Sequence, residues 1–315
     1  MTHRHRAAAA VVALALTATA CGSGDKGSEE KQEAADPKER IEVTGEFGAK
    51  PTITIDAPLS LDESTSWTSE AGEGDKLGAA ATAILQLTLA NGRTGKTAVS
   101  TGDPGQSPLA VTLEQIFPVL AQGLTGKPAH SRVVVAATTD DTYGDKGSPQ
   151  IGIRAGDPVV MVADILSTDP TSVLDGPTGT TRAAPATAPV VQEKDGLPAA
   201  FDFTKARKPR KLTVVTLREG TGPAVERPDR VAADYVGQVW GASKPFEETF
   251  STEPSTFTIG LGAAIKAWDD ALVGKKEGAR VMVIAPPALG YGAKAQPNIP
   301  ANSTLVFLVD VLGVG

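Results

Sequence analysis

The chain has 315 residues, a net charge of −7, 41% hydrophobic and 21% charged residues, and only 4% aromatics. The acidic balance excludes a nucleic-acid protein held by a broad basic face. One Cys and three His, two of them His3 and His5, exclude a Cys-based zinc site and a disulfide framework and argue against a His-based metal site or triad. At roughly 100–200 residues per domain, the length predicts two domains. The first element in chain order is a secretory signal at residues 1–20: basic residues, then the apolar run Ala7–Ala20 ending in small residues. The run is shorter than the ~20 residues of a spanning helix.

The signal ends Ala18-Thr19-Ala20-Cys21-Gly22, which resembles a bacterial lipobox with Ala18 in place of the favoured Leu. That resemblance implies a lipidated Cys21 and a protein anchored to the outer face of the cell membrane, touching it only through the lipid. Plain cleavage at Ala-x-Ala gives the alternative, a secreted protein with a free Cys21 thiol. Residues 21–40 are polar and aperiodic and read as a disordered tether.

A Pro/Thr/Ala-rich stretch at 167–196 reads as a linker between domains at 41–166 and 197–315. In the first domain, Ala81, Ala83, Leu85, Leu87 and Leu89 alternate as a strand. In the second, Val231, Ala233, Tyr235, Gly237 and Val239 alternate, as do Leu305, Phe307, Val309 and Val311. Ile265, Trp268 and Leu272 recur at i, i+3 and i+7, predicting a short helix closed by Gly274. The two domains repeat each other. Phe117 onward matches Ile265 onward at an offset of 148, as do Arg132 with Arg280 and Tyr143 with Tyr291, while Asp164 matches Asp310 at 146. The predicted class is α+β: two copies of an antiparallel sheet curled over a helix.

Aromatics concentrate in the second copy, and parity turns Tyr235, Trp268 and Phe307 toward one interior, either an ordinary aromatic core or a lined pocket. The strings DYVGQVW, Phe257-Thr-Ile-Gly260, AAIKAWDDALVGKKEGAR and APPALGYGAKAQPNIPANSTLVFLVDVL resemble, in order and spacing, those of FKBP-type peptidyl-prolyl cis–trans isomerases over about 205–315. The resemblance implies a half-barrel around a helix and, in each copy, an FKBP-like fold. It implies a proline pocket with Trp268 as floor and Tyr235, Phe246, Phe257 and Phe307 as walls. Ala264 and Ile265 would present a main-chain N–H at the helix entrance, Tyr291 a rim hydroxyl, Glu247 the rim carboxylate, and Ile299 the loop over the pocket. Glu247 stands where the family has Asp, Ser255 replaces a bulkier rim residue, and Gln296 replaces His or Gly.

The first copy is expected to lack this pocket, with Leu120, Leu85 and Met161 at the positions of Trp268, Tyr235 and Phe307, and with Phe117 for Ile265. Only Tyr143 remains, so that copy is read as a peptide-binding module or a spacer. His130 and the run Lys205–Lys211 read as solvated loop and strand entry, and Asp269-Asp270 as a solvated face. The expected function is isomerisation of X–Pro bonds in unfolded, exported polypeptides, by a monomer without cofactor, metal or nucleic-acid partner. The rival is a chaperone or scaffold lipoprotein that binds chains and turns no prolines.

Overall fold

The computed structural model describes residues 36–315; the signal, Cys21 and most of the tether lie outside the described residues. The tether was expected to reach residue 40, but Pro37–Arg40 forms a helical turn, α1, capped by the Asp36 side chain. Arg40 holds it in place through Asp56 at 3.2 Å and the Pro58 carbonyl at 3.1 Å.

Ile41–Thr44 (β1) and Thr52–Ile55 (β2) pair as a hairpin. Thr65–Glu70 (β3), Thr82–Asn91 (β4), Thr97–Ser100 (β5), Leu109–Thr112 (β6), Arg132–Ala137 (β7) and Val159–Thr168 (β8) form the first sheet, in the order β3-β7-β8-β4-β5, with β6 also on β4. Helix α2, Pro118–Leu124, lies between β6 and β7, with proline preorganised at its first turn. The second half repeats the scheme. Val190–Lys194 (β9) and Leu197–Asp202 (β10) make a hairpin. Thr213–Glu219 (β11), Asp229–Val239 (β12), Glu247–Glu248 (β13), Ser255–Ile259 (β14), Ala279–Ala285 (β15) and Leu305–Val314 (β16) form a sheet in the order β11-β15-β16-β12-β13, with β14 on β12. Helix α3 is Lys266–Leu272. Both sheets are antiparallel, and the two long helices have seven residues each. Strands dominate, so α+β overstates the helix.

Alternation sorts each central strand between two cores. Val133, Val135 and Ala137 face α2, while Val134 and Ala136 face the β1–β2 hairpin. In the second half Val281, Val283 and Ala285 face α3, and Met282 and Ile284 face the β9–β10 hairpin. Strands buried on both sides read as continuous apolar runs, which is how RVVVAA and ARVMVIA look.

The 167–196 segment is not a free linker. Strand β8 continues through Thr168, and Leu174 and Thr178 donate main-chain bonds to Leu312 and Gly278 at 2.8 and 2.7 Å. Residues 190–194 are a strand of the second hairpin, and a boundary at 196/197 cuts through its turn. Asp195 and Gly196 both have positive φ, 55° and 82°, as a two-residue hairpin turn requires.

The halves meet where β8, β12 and β16 converge. The Ser167 hydroxyl donates to the Gly315 main-chain oxygen at 2.6 Å and accepts from Arg230 N–H at 2.8 Å. Arg230 also grips Asp169 at 2.6 Å. Asp229 is buried beside this seam, facing a cleft shared with His130, Glu226 and Glu277. Burial lifts its carboxyl to about 6, against the Glu226 N–H it accepts. Its folded pKa is therefore above the unfolded value. The corresponding stability is complete below the unfolded pKa and is lost as pH rises through about 6. Asp229→Asn is expected to raise stability at neutral pH by on the order of 2–3 kcal/mol and to flatten the profile. Thermal unfolding of both proteins across this range checks it, and parallel profiles would refute it.

Candidate functional site

The concave side of the second sheet carries an aromatic box. Helix α3 supplies Trp268, β12 supplies Tyr235, β14 supplies Phe257, β16 supplies Phe307, and the turn before β13 supplies Phe246. The Phe257, Tyr235 and Phe307 rings lie 4.8, 5.2 and 5.6 Å from the indole, at interplanar angles of 69°, 87° and 86°. Phe246 meets Phe307 at 5.8 Å and 80°. These edge-to-face contacts suit aromatic quadrupoles. They lock a base with upright walls around a cavity of about 310 Å³. Gly237 permits the Phe246–Phe307 contact, because a Cβ there would lie 2.6 Å from Phe246 and 2.9 Å from Phe307.

Nine of the ten residues singled out in the sequence line this cavity: Tyr235, Phe246, Glu247, Phe257, Ala264, Ile265, Trp268, Tyr291 and Phe307. Ile299 does not. It is buried in the same core cluster as Tyr235, Trp268 and Phe307, in a turn closed by reciprocal main-chain bonds with Gln296 at 2.9 and 3.0 Å. Ala263 also lines the cavity; as a small residue in a glycine-rich loop it carries no pattern signal in the sequence.

The polar groups sit at the rim and floor. Burial, then the Glu247 carboxylate, raises the Tyr235 hydroxyl pKa, and the same two causes raise that of the more exposed Tyr291. Both phenols therefore stay protonated and flank one carboxylate. Trp268 Nε1 is the one buried side-chain nitrogen or oxygen without a hydrogen-bond partner among the described residues. A buried donor left unpaired costs free energy and calls for an explanation. No cluster of metal-ligating side chains occurs among the described residues.

Asp269, read as solvated, is 8% exposed. Its carboxylate accepts Gly260 N–H at 2.7 Å and Gly262 N–H at 3.0 Å. Asp270 is the exposed neighbour, paired with Lys266 at 3.0 Å.

Strand pairing fixes the equivalent positions in the first half. Tyr235 faces Val309 and Gly237 faces Phe307; Leu87 faces Ala163 and Leu89 faces Met161. Leu87, not Leu85, is therefore the counterpart of Tyr235. Both leucines point inward, so only the cross-strand partner distinguishes them. Leu120 and Met161 stand for Trp268 and Phe307, and Val111 for Phe257. Leu87, Leu89, Phe117, Leu120 and Met161 line an apolar cavity of about 360 Å³. Phe117 and Tyr143 pack edge to face at 5.1 Å, and no aromatic floor exists.

The family model of FKBP-type peptidyl-prolyl cis–trans isomerases matches residues 222–312. The FK506-binding protein 4 of Chaetomium thermophilum is 38% identical over 103 residues, 33% of this chain and 21% of that protein. That of Mycosarcoma maydis is 34% identical over 124 residues, 39% and 33% of the two. The chain thus spans a third or less of the length of these curated relatives. Among solved structures, FkpA from Escherichia coli is 35% identical over 33% of this chain and 47% of its own, with a TM-score of 0.31. Residues 222–312 are an FKBP-type isomerase domain.

Proposed function

We propose that this FKBP-type domain makes the chain a peptidyl-prolyl cis–trans isomerase, acting on X–Pro bonds of unfolded polypeptides in the aromatic cavity of its second half. The observation that carries the reading is the box of rings around Trp268, of a size and apolarity suited to a proline ring. Amide resonance sets the barrier at about 18–20 kcal/mol and makes the uncatalysed turn take tens to hundreds of seconds. Twisting the bond reduces amide charge separation, so a water-poor apolar site favours the twisted state over the planar one. An acceleration of ~10⁴-fold needs only about 5.5 kcal/mol of such preference, with no nucleophile or proton donor.

In this reading the proline ring lies on Trp268 between Tyr235, Phe257 and Phe307. A main-chain N–H at Ala264–Ile265 takes the substrate carbonyl, and the Tyr291 hydroxyl bonds the substrate backbone. Glu247 holds Tyr235. The test is a protease-free isomerisation assay on the full chain, with FK506, the ligand for which the similar FK506-binding proteins are named, as competitor. Acceleration that FK506 abolishes is expected; no acceleration refutes the reading. The first half has its own apolar cavity, which supports a second role: holding an aliphatic stretch of the same client. The N-terminal sequence supports work outside the cell membrane, anchored through lipidated Cys21. Release of a Cys21→Ser variant from the membrane fraction is expected; retention would count against the anchor.

A further inference from the structure

We infer that Asp269 is a positioning residue of the isomerase site: its carboxylate ties the wall of the pocket to its floor. The inference rests on the isomerase reading above. Residues 260–265 join β14 to α3 and contain Ala263, Ala264 and Ile265 of the cavity wall. The loop opens Gly260-Leu-Gly262, and both glycines have positive φ, 99° and 73°. Such a segment has wide conformational freedom unless something holds it. Asp269 holds it twice, through the N–H groups of Gly260 and Gly262, from the helix residue next to Trp268. Arg227 fastens the same point, donating to the Asp269 carbonyl at 2.8 Å. The Arg227 stem packs where a Cβ on Gly260 would come within 2.6 Å.

The first half supplies an internal contrast. From Phe257 to Ile265 the second half spans 8 positions, but from Val111 to Phe117 the first spans 6. Its shorter connection is a single helical turn, Leu113–Gln115, in which the Gln115 carboxamide accepts Thr112 N–H at 3.4 Å. At the position of Asp269 it has Ala121. The longer glycine loop and the carboxylate that tethers it occur together, in the half with the aromatic floor.

A small misplacement of a binding group is enough to cost rate. In the full chain, Asp269→Ala is expected to lower kcat/KM on a tetrapeptide with one X–Pro bond roughly tenfold. Most of the loss should appear in KM, because ground-state binding is what the wall provides. Amide exchange at Gly260 and Gly262 should quicken. Asp269→Glu should recover part of the loss, which keeps the idea testable if the alanine variant folds poorly. Lys194→Ala, an exposed residue of the hairpin on the other side of the sheet, should leave the kinetics unchanged. If the wild type accelerates isomerisation and the Asp269 variants match it per folded molecule, the positioning role is overturned while the isomerase reading stands. If the wild type is inert, both fall.

Discussion

Trp268→Leu should leave the second half folded and lower kcat/KM by at least roughly tenfold. The fold should survive because the protein already contains this substitution: Leu120 fills the corresponding place in the first half, 1% exposed, with its core intact. Burial around position 268 is shared with Leu272, Val281, Val283 and Val309, so the cost in stability should be about 1–3 kcal/mol. The loss of rate comes from geometry. Three rings stand near-perpendicular to one indole plane, and a leucine offers no flat base for a proline ring and no edge for the walls to rest on. Isomerisation kinetics beside near-ultraviolet circular dichroism would decide it. A folded variant turning over at the wild-type rate would show that the indole is only core.

The largest effect on stability is expected at Arg132. This guanidinium is fully buried, and all five of its N–H donors are used. Two meet Asp164 at 2.6 and 2.8 Å, one meets Glu70 at 2.5 Å, and two reach the Gly45 and Glu46 carbonyls at 2.9 and 3.0 Å. It therefore ties β7 to β8 and pins the loop of the first hairpin to the sheet. Arg132→Met strands the Asp164 carboxylate, itself 1% exposed, and should cost about 3–5 kcal/mol. Pairing it with Asp164→Leu should return most of that, since an apolar pair replaces an ion pair at little net cost. Urea denaturation of the single and double variants measures both, and a single variant as stable as the wild type would refute the argument. The corresponding Arg280 makes only its two bonds to Asp310 and is partly exposed over Phe250, so its loss should cost less.

The site was readable because its residues obey simple periods. Tyr235 and Phe307 follow strand alternation and Trp268 follows helical spacing, so their convergence is written in the sequence pattern itself. What escaped lies where period carries no information. Leu85 and Leu87 share a face, and pairing alone selects between them. Ile299 sits in a turn whose direction depends on main-chain bonds. Asp269 looks like any exposed acid until its partners, two amides in another loop, are known. The second hairpin is a different kind of miss. Its Asp195-Gly196 turn is a strong local signal, hidden by the Pro- and Thr-rich composition around it.

That hairpin decides where the protein can be cut. Val236, Met282, Ile284, Val306 and Leu308 lie beneath it on the back of the second sheet, with Ala188 and Phe201 as their cover. A fragment trimmed to the family match at residue 222 would shed this cover and strand β11 with it. An oily sheet back would then meet water beside an unpaired β15 edge, a combination that templates aggregation. A fragment of the second half that stays in solution therefore has to begin ahead of Ala188, well upstream of the residues that line the aromatic cavity.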